Sequence, residues 1–223
     1  MVTEKLSIGI IGGSGHEGSG LALRWAAAGH DVIIGSRSVE KAQEAAQKLN
    51  ALLAGRGQLR GGSNADAAAQ TIVVLSVPFA AQRVTAEAFR EQLAGKVLID
   101  VTAPLVPPKV SRVQLPAGGS AVAALQSALG DAVKVVSAFQ NVSATHLQDL
   151  AHDVDCDVLV CGDDAAACDT VIGLARDAGM RGWFAGALAN SAAAEALTSV
   201  LIAINRRYKV PGAGIRITGV PRD

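Results

Sequence analysis

Apolar residues gather along this chain in short unbroken runs. Between them lie longer stretches where apolar positions recur every three or four residues. The clearest runs are LSIGII (6–11), DVII (31–34), TIVVLSV (71–77), KVLIDV (96–101), KVVSAF (134–139) and CDVLVCG (156–162). QLRGG (58–62) is a weaker run and RGWFAG (181–186) a last one. A strand with one wet face alternates apolar and polar side chains. These do not alternate, so each is expected to be buried on both faces, as in a parallel sheet. A helix-like stretch ending near Gly29 follows the first run, and SVEKAQEAAQKLNALLA follows the second. Strand and helix in regular alternation predict a Rossmann-type, doubly wound α/β domain with a mainly parallel sheet.

Two stretches break the rhythm. APLVPPKVSRVQLPAGGS (103–120) holds four of the seven prolines and leaves the carboxyl edge of the sheet. It reads either as a long surface connection or as a wall or lid of the ligand cleft. After Gly186, ALANSAAAEALTSVLIAINRRY reads as one long, mostly apolar helix, and the tail KVPGAGIRITGVPRD is irregular. The expected division is a sheet domain over 1–186 and a small C-terminal helical unit over 187–223. A buried face of that helix would serve packing or a homodimer contact.

Composition narrows the classes. Half of the 223 residues are hydrophobic but only 3% are aromatic, so Ala, Val, Leu and Ile must build the core. Formal net charge is zero and no basic stripe appears apart from Arg206-Arg207, which argues against nucleic acid. No run is read as approaching the roughly 18 apolar residues of a membrane span. The opening MVTEKLS has no signal-peptide core, so a cytoplasmic location is expected. Cys156, Cys161 and Cys168 are spaced too widely for a paired metal motif and read as small buried residues.

The candidate chemistry begins at the first loop. Gly13-Ser14-Gly15-His16-Glu17-Gly18 fits G-x-G-x-x-G between a predicted strand and a predicted helix. In such loops the first glycine allows the tight turn, the second lets backbone approach a diphosphate, and the third lets helix and strand pack closely. The helix N-terminus adds free N–H groups and a partial positive charge. An NAD site places Asp or Glu at the end of the second strand to bind the ribose 2′-OH. Here that strand ends Ile34-Gly35-Ser36-Arg37, with Lys41 one helical turn on. A guanidinium in place of a carboxylate predicts a 2′-phosphate pocket, and hence NADP(H). Ser76, Val77 and Pro78 end the fourth strand beside the expected ribose and diphosphate. Asp100, Val101 and Thr102 end the fifth, near the expected nicotinamide.

No general acid is evident. His16 lies in the phosphate loop, His30 precedes the second strand, and His146 and His152 flank a short helix; none shows an Asp partner by spacing. The single tyrosine, Tyr208, sits beside the basic pair. Carbonyl reduction needs a proton donor as well as hydride. Its absence favours a second redox cofactor as the substrate, with no covalent intermediate and no metal.

IGGSGHEGSGLALRWAAAGHDVIIGSRSVEKA (11–42), DVLVCGDD (157–164), NSAAAEALTSVLIAINRRYK (190–209) and GAGIRITG (212–219) resemble, in order, the NADP oxidoreductases that use coenzyme F420. The resemblance spans nearly the whole chain. It implies reversible hydride exchange between NADP(H) and F420, with the deazaflavin bound where the C-terminal unit meets the sheet domain. It places Ser14, Gly15, His16 and Glu17 on the family's phosphate loop, Ser36, Arg37 and Lys41 on its 2′-phosphate site and Ser76, Val77 and Pro78 on its strand-end contacts, and it carries the deazaflavin contacts onto Gln140, Asn141, Val142 and Ser143, onto Asn190 and Thr198, and onto the tail near Gly214. The chain departs from the archaeal pattern at Gln140, where those members carry a histidine, and in its longer 103–120 loop. The fold alone leaves other acceptors open: an ordinary flavin or ferric ion, an imine or carbonyl, or none, in an NADPH-binding redox sensor.

Overall fold

The first strand of the computed structural model, β1 (Ser7–Ile11), lies inside an eight-stranded sheet and is buried along almost its full length. The structure describes residues 5–221; residues 1–4, within the stretch read for a signal peptide, and 222–223 of the tail fall outside. The other strands are β2 (Asp31–Ser36), β3 (Leu59–Ser63), β4 (Ile72–Leu75), β5 (Val97–Asp100), β6 (Lys134–Ser137), β7 (Asp157–Gly162) and β8 (Arg181–Phe184). The helices are α1 (His16–Ala27), α2 (Val39–Leu53), α3 (Asn64–Ala68), α4 (Phe79–Ala88), α5 (Arg90–Leu93), α6 (Ala121–Leu129), α7 (Ala144–Leu147), α8 (Ala165–Asp177) and α9 (Ser191–Tyr208).

Strand order is β3-β2-β1-β4-β5-β6-β7-β8. The chain winds outward from β1 to β3, returns, and continues from β4 on the other side. The gap between β1 and β4 is therefore the topological switch point where such sheets bind ligands. Every neighbouring pair is parallel except β6 and β7, which run antiparallel through Val136↔Gly162 and Ser137↔Cys161. Parallel neighbours need a crossover that returns the chain to the same edge. The segment from β6 to β7 contains only the single-turn α7, so the chain enters β7 from the carboxyl edge.

The two sheet faces bury two separate apolar layers. One packs Ile8, Ile10, Val32 and Val74 against α1, α2 and α8; the other packs Ile11, Val73, Leu75 and Leu98 against α3, α4 and α6. Few aromatics contribute, but two meet at the centre of the first layer. Trp25 and Phe139 stand edge to face at 5.7 Å, and the indole N–H donates to the Leu174 carbonyl. Phe139 adopts φ 73°, an unusual backbone state for a bulky side chain. It points its ring into the core while the next residue, Gln140, turns to the carboxyl edge of the sheet.

The helical segment Leu188–Tyr208, which contains α9, is long and apolar enough, by length and composition alone, to cross a membrane, where the sequence reading expected no run to approach that length. Its buried polar contacts tie it to the sheet domain. Glu195 is 1% exposed and accepts from the Ser120 hydroxyl and the Ala121 amide at the start of α6, both at 2.7 Å. Ser191 donates to Glu195, and Asn141 donates to the Ala194 carbonyl. The tail continues this attachment: Asp157 accepts the Ile217 amide, and the Asp157 amide donates to the Ile215 carbonyl.

Candidate active site

The loop between β1 and α1 is built by steric need. The residue with a positive φ is Gly12, at 74°, one position before the motif register. A side chain there would strike the Ser76 carbonyl oxygen at 2.4 Å. The sequence reading gave the tight turn to Gly13. The structure gives Gly13 close packing instead: an added Cβ would lie 2.9 Å from the Ile34 Cβ. Gly18 does what was expected, since a Cβ there would meet the Gly13 Cα at 2.9 Å and Ser76 at 3.0 Å. Asn64, at the start of α3, holds the turn by accepting the Gly12 amide.

Gly15 is the N-cap of α1 and offers no side-chain cap. A Cβ there would find nothing closer than the Gly12 oxygen at 3.5 Å, so the backbone stands bare toward the cleft. The uncapped first-turn amides and the helix dipole together suit an anion.

Two pockets meet at this helix start. One, of about 450 Å³, runs between α1 and α2 and includes Ser14, Lys41, Lys48 and Gln148. The other, of about 520 Å³, lies over the carboxyl ends of β4 and β5. His16 belongs to both, so the two form one path across the helix N-terminus. Ser36 ends β2, its hydroxyl accepting the Ser38 amide. Arg37 is exposed, and among the described residues neither it nor the Lys41 ammonium has a carboxylate partner. Lys41 lines the first pocket, whereas Ser36 and Arg37 line neither; an uncommitted cation in that pocket fits the phosphates of a dinucleotide.

The second pocket is the cleft proper. Ser76, Val77 and Pro78 line it where β4 passes into α4, and Val101 and Thr102 where β5 ends. The 103–120 segment forms its far wall through Ala103, Leu105, Pro107 and Val110. That wall leans on α9: Ser199 donates to the Arg112 carbonyl and Arg206 to the Ser111 hydroxyl. Gln140 and Thr198 close the cleft, the Thr198 hydroxyl donating to the Gln140 carbonyl at 2.8 Å.

The polar atoms of this cleft are unevenly satisfied. Gln140 donates its amide to the Asp100 carbonyl at 2.7 Å, yet its Oε1 has no partner. Thr102 Oγ1 and Glu17 Oε1 are likewise buried and unpartnered. Buried polar groups are seldom left so; these three lie on residues that line the cleft but are themselves closed to solvent, so a ligand completes them only where the side chain turns toward it.

Beneath them lies a pair of carboxyl groups. Asp100 accepts from the Thr102 amide and from the Gln82 side chain; burial nevertheless pushes it up to about 6. Glu17 has no hydrogen bond to its carboxyl, and burial, then the nearby Asp100 charge, pushes it up to about 8.

Of the residues assigned to the second ring, the structure brings Gln140 and Thr198 to the cleft. Asn141 and Val142 are buried where β6 meets α9 and do not line it. Ser143 and Gly214 line a different hollow with His146, His152 and Cys156. Asn190 donates to the Ala185 carbonyl beyond β8. His30 has the acidic partner that spacing hid, Asp177 at 3.0 Å, on the amino side of the sheet. The three cysteines are free and buried. Sequence reasoning missed Asn64, Gln82 and Glu195; of these only Glu195, a lone charge inside NSAAAEALTS, leaves a signal in the pattern.

A family model described as NADP oxidoreductase, coenzyme F420-dependent, matches residues 7–104. An F420-dependent NADP reductase of Methanocaldococcus jannaschii is 43% identical, the match covering 96% of this chain and 99% of that protein. The chain belongs to the F420-dependent NADP oxidoreductases. A second member of this family, from Methanothermobacter thermautotrophicus, is 42% identical over 98% of this chain and 97% of its own. The likeness extends to the architecture. A solved structure from Arthrobacter sp. FB24, provisionally described as an F420-dependent NADP-reductase, superposes with a TM-score of 0.77 at 27% identity, covering 96% of this chain and 99% of that one. The Rossmann-like sheet and its C-terminal helix are thus those of the family.

Proposed function

We propose that the chain exchanges hydride reversibly between NADP(H) and coenzyme F420. Membership of the family over nearly the full length carries this reading. Unpaired Arg37 and Lys41 near an uncapped helix start support NADP(H) over NAD. On this reading Gly13, Ser14, Gly15 and Gly18 cradle the diphosphate, with the 2′-phosphate near Ser36, Arg37 and Lys41. The nicotinamide end then lies over Ser76 to Thr102, and the deazaflavin approaches Gln140 and Thr198. The protein aligns two rings and excludes water; the bound cofactors supply the hydride chemistry.

Residues 187–223 act as a unit that completes the cleft, as the Thr198 bond to Gln140 suggests. A homodimer is supported by the exposed apolar side chains Val200, Ile204 and Tyr208 on α9. The zero net charge fits a protein with no nucleic-acid or membrane partner, acting in the cytoplasm. The deciding experiment mixes purified protein with NADPH and, separately, F420, FMN or FAD, and follows each visible absorbance. Bleaching of F420 alone is the expected result. Bleaching of FMN or FAD alone would replace F420 by an ordinary flavin.

A further inference from the structure

Glu17 belongs to the phosphate-loop motif expected to contact the cofactor, but its carboxyl sits in an unusual environment. It sits in the first turn of α1, where a carboxylate normally gains from the helix dipole and the free amides. Yet its carboxyl makes no hydrogen bond to any described residue, and its Oε1 is sealed from solvent. No Lys or Arg lines the cleft. The charged and titratable groups around it are Asp100 on β5, Glu195 on α9, whose charge acts on Asp100, and the exposed His16 beside it. An ionised carboxyl here would be a half-buried anion with one oxygen sealed from solvent, no donor and another acid beside it, so the neutral form is favoured.

One change in the reaction alters that balance. Reduced nicotinamide is a neutral ring and oxidised nicotinamide is a cation. Among the described residues no Lys or Arg lines the cleft, so that ring is the permanent positive charge that arrives. We propose that Glu17 holds a proton while the cleft is empty or contains NADPH, and releases it when the cationic ring of NADP⁺ occupies the cleft. The inference rests on the NADP(H) reading and on the nicotinamide lying at this end of the path. The balance is simple: the Glu17 O–H bond breaks, the proton passes to solvent, and the carboxylate left behind faces the ring cation. No electron moves in this step.

The geometry sets the sign of the linkage. A nearby cation stabilises the carboxylate and lowers its pKa from the value of about 8 that burial imposes. NADP⁺ affinity then rises with pH on the way to that value, while NADPH affinity does not follow it. The ratio Kd(NADP⁺)/Kd(NADPH) falls with rising pH by up to about ten-fold per pH unit. Titration of the 2′-phosphate is common to both ligands and cancels in the ratio. Any contribution from Asp100 falls lower, around 6.

The experiment is titration calorimetry at pH 7.5 with NADP⁺ and with NADPH, each in phosphate and in Tris. These buffers differ widely in ionisation heat, so the difference between them counts protons. NADP⁺ should release a substantial fraction of one proton more than NADPH, and Glu17→Gln should remove the difference. A thermal melt of the variant checks that it folds. Equal proton exchange for the two ligands in the unaltered protein would overturn the proposal, as would a difference that persists in Glu17→Gln. Failure of either ligand to bind would instead overturn the NADP(H) reading itself.

Discussion

Glu195 and Ser120 meet across 75 residues of sequence, the serine hydroxyl donating to the buried carboxylate at 2.7 Å. The same carboxylate accepts the Ala121 amide and the Ser191 hydroxyl. One side chain of α9 therefore fixes the start of α6 and the end of the 103–120 wall. Glu195→Ala strands several buried donors, each costing about 1–3 kcal/mol. The summed loss should exceed that of any exposed charge on α9, such as Arg207, and urea unfolding measures it. Loosening the wall should also raise KM for F420.

Arg24 does comparable work on the other face. Its guanidinium, which burial draws below the usual arginine range, donates to the carbonyls of Leu147, Ala178, His146, Asp149 and His152. It clamps the 146–152 segment to α1 through backbone carbonyls, with the Asp149 and Asp153 charges nearby but not hydrogen-bonded to it. Arg24→Met keeps the stem but leaves five acceptors without this donor, and a loss of about 3–5 kcal/mol is expected. Hydrogen exchange should show faster opening of 143–153 than of β1.

The contrast between these residues and the strands explains what the sequence made legible. Strands buried on both faces declare themselves as unbroken apolar runs; all eight runs became strands, but the edge strands β3 and β8 are only partly buried, against the expectation that each run is covered on both faces. The antiparallel β6–β7 pair did not show, because runs buried on both faces carry no mark of direction. The turn glycine was misplaced by one residue because Gly12 and Gly13 are identical in sequence and differ only in what lies beside them. Arg24 and Glu195 sit in Ala-rich helices; all the acceptors of Arg24 lie more than 100 residues away, and of the donors to Glu195 only Ser191 is local, the others lying more than 70 residues away. The cleft was readable where backbone geometry dictates residue type, at Gly15 and Gly18. It was less so at the second ring, where Asn141 holds α9 and Gln140 alone of its run lines the cleft.

Arg37 supplies the sharpest test of cofactor choice. A guanidinium–phosphate contact contributes about 1.5–3 kcal/mol, and a carboxylate in its place adds repulsion. Arg37→Glu should weaken NADPH binding by at least about ten-fold and leave NADH binding nearly unchanged, measured by fluorescence titration. Full retention of NADPH affinity would remove Arg37 from the pocket.

Gln140 separates packing from recognition. Its amide holds the Asp100 carbonyl while its oxygen is buried beside the cleft without a partner. Gln140→Leu preserves much of the volume and deletes both polar ends. If Oε1 meets a ligand, KM for F420 rises by about ten-fold for one lost hydrogen bond, with Kd for NADPH little altered. If it meets none, only a small stability loss follows.

The carboxyl pair makes stability depend on pH in an unusual direction. Glu17 and Asp100 are held above their ordinary values, to about 8 and about 6, so the folded chain binds more protons than the unfolded one at intermediate pH. Stability therefore falls as pH rises. The contribution of Asp100 is full below pH 4 and lost as pH climbs through 6. That of Glu17 is full below about 4.5 and lost as pH climbs through 8. The ligand-free protein should thus melt at a lower temperature at pH 8.5 than at pH 6.5. Glu17→Gln, which cannot ionise, should flatten the upper part of that decline and melt higher than the unaltered protein at pH 8.5. Calorimetric scans of both proteins across this range decide it: parallel curves would mean that Glu17 is already ionised at neutral pH in the empty cleft.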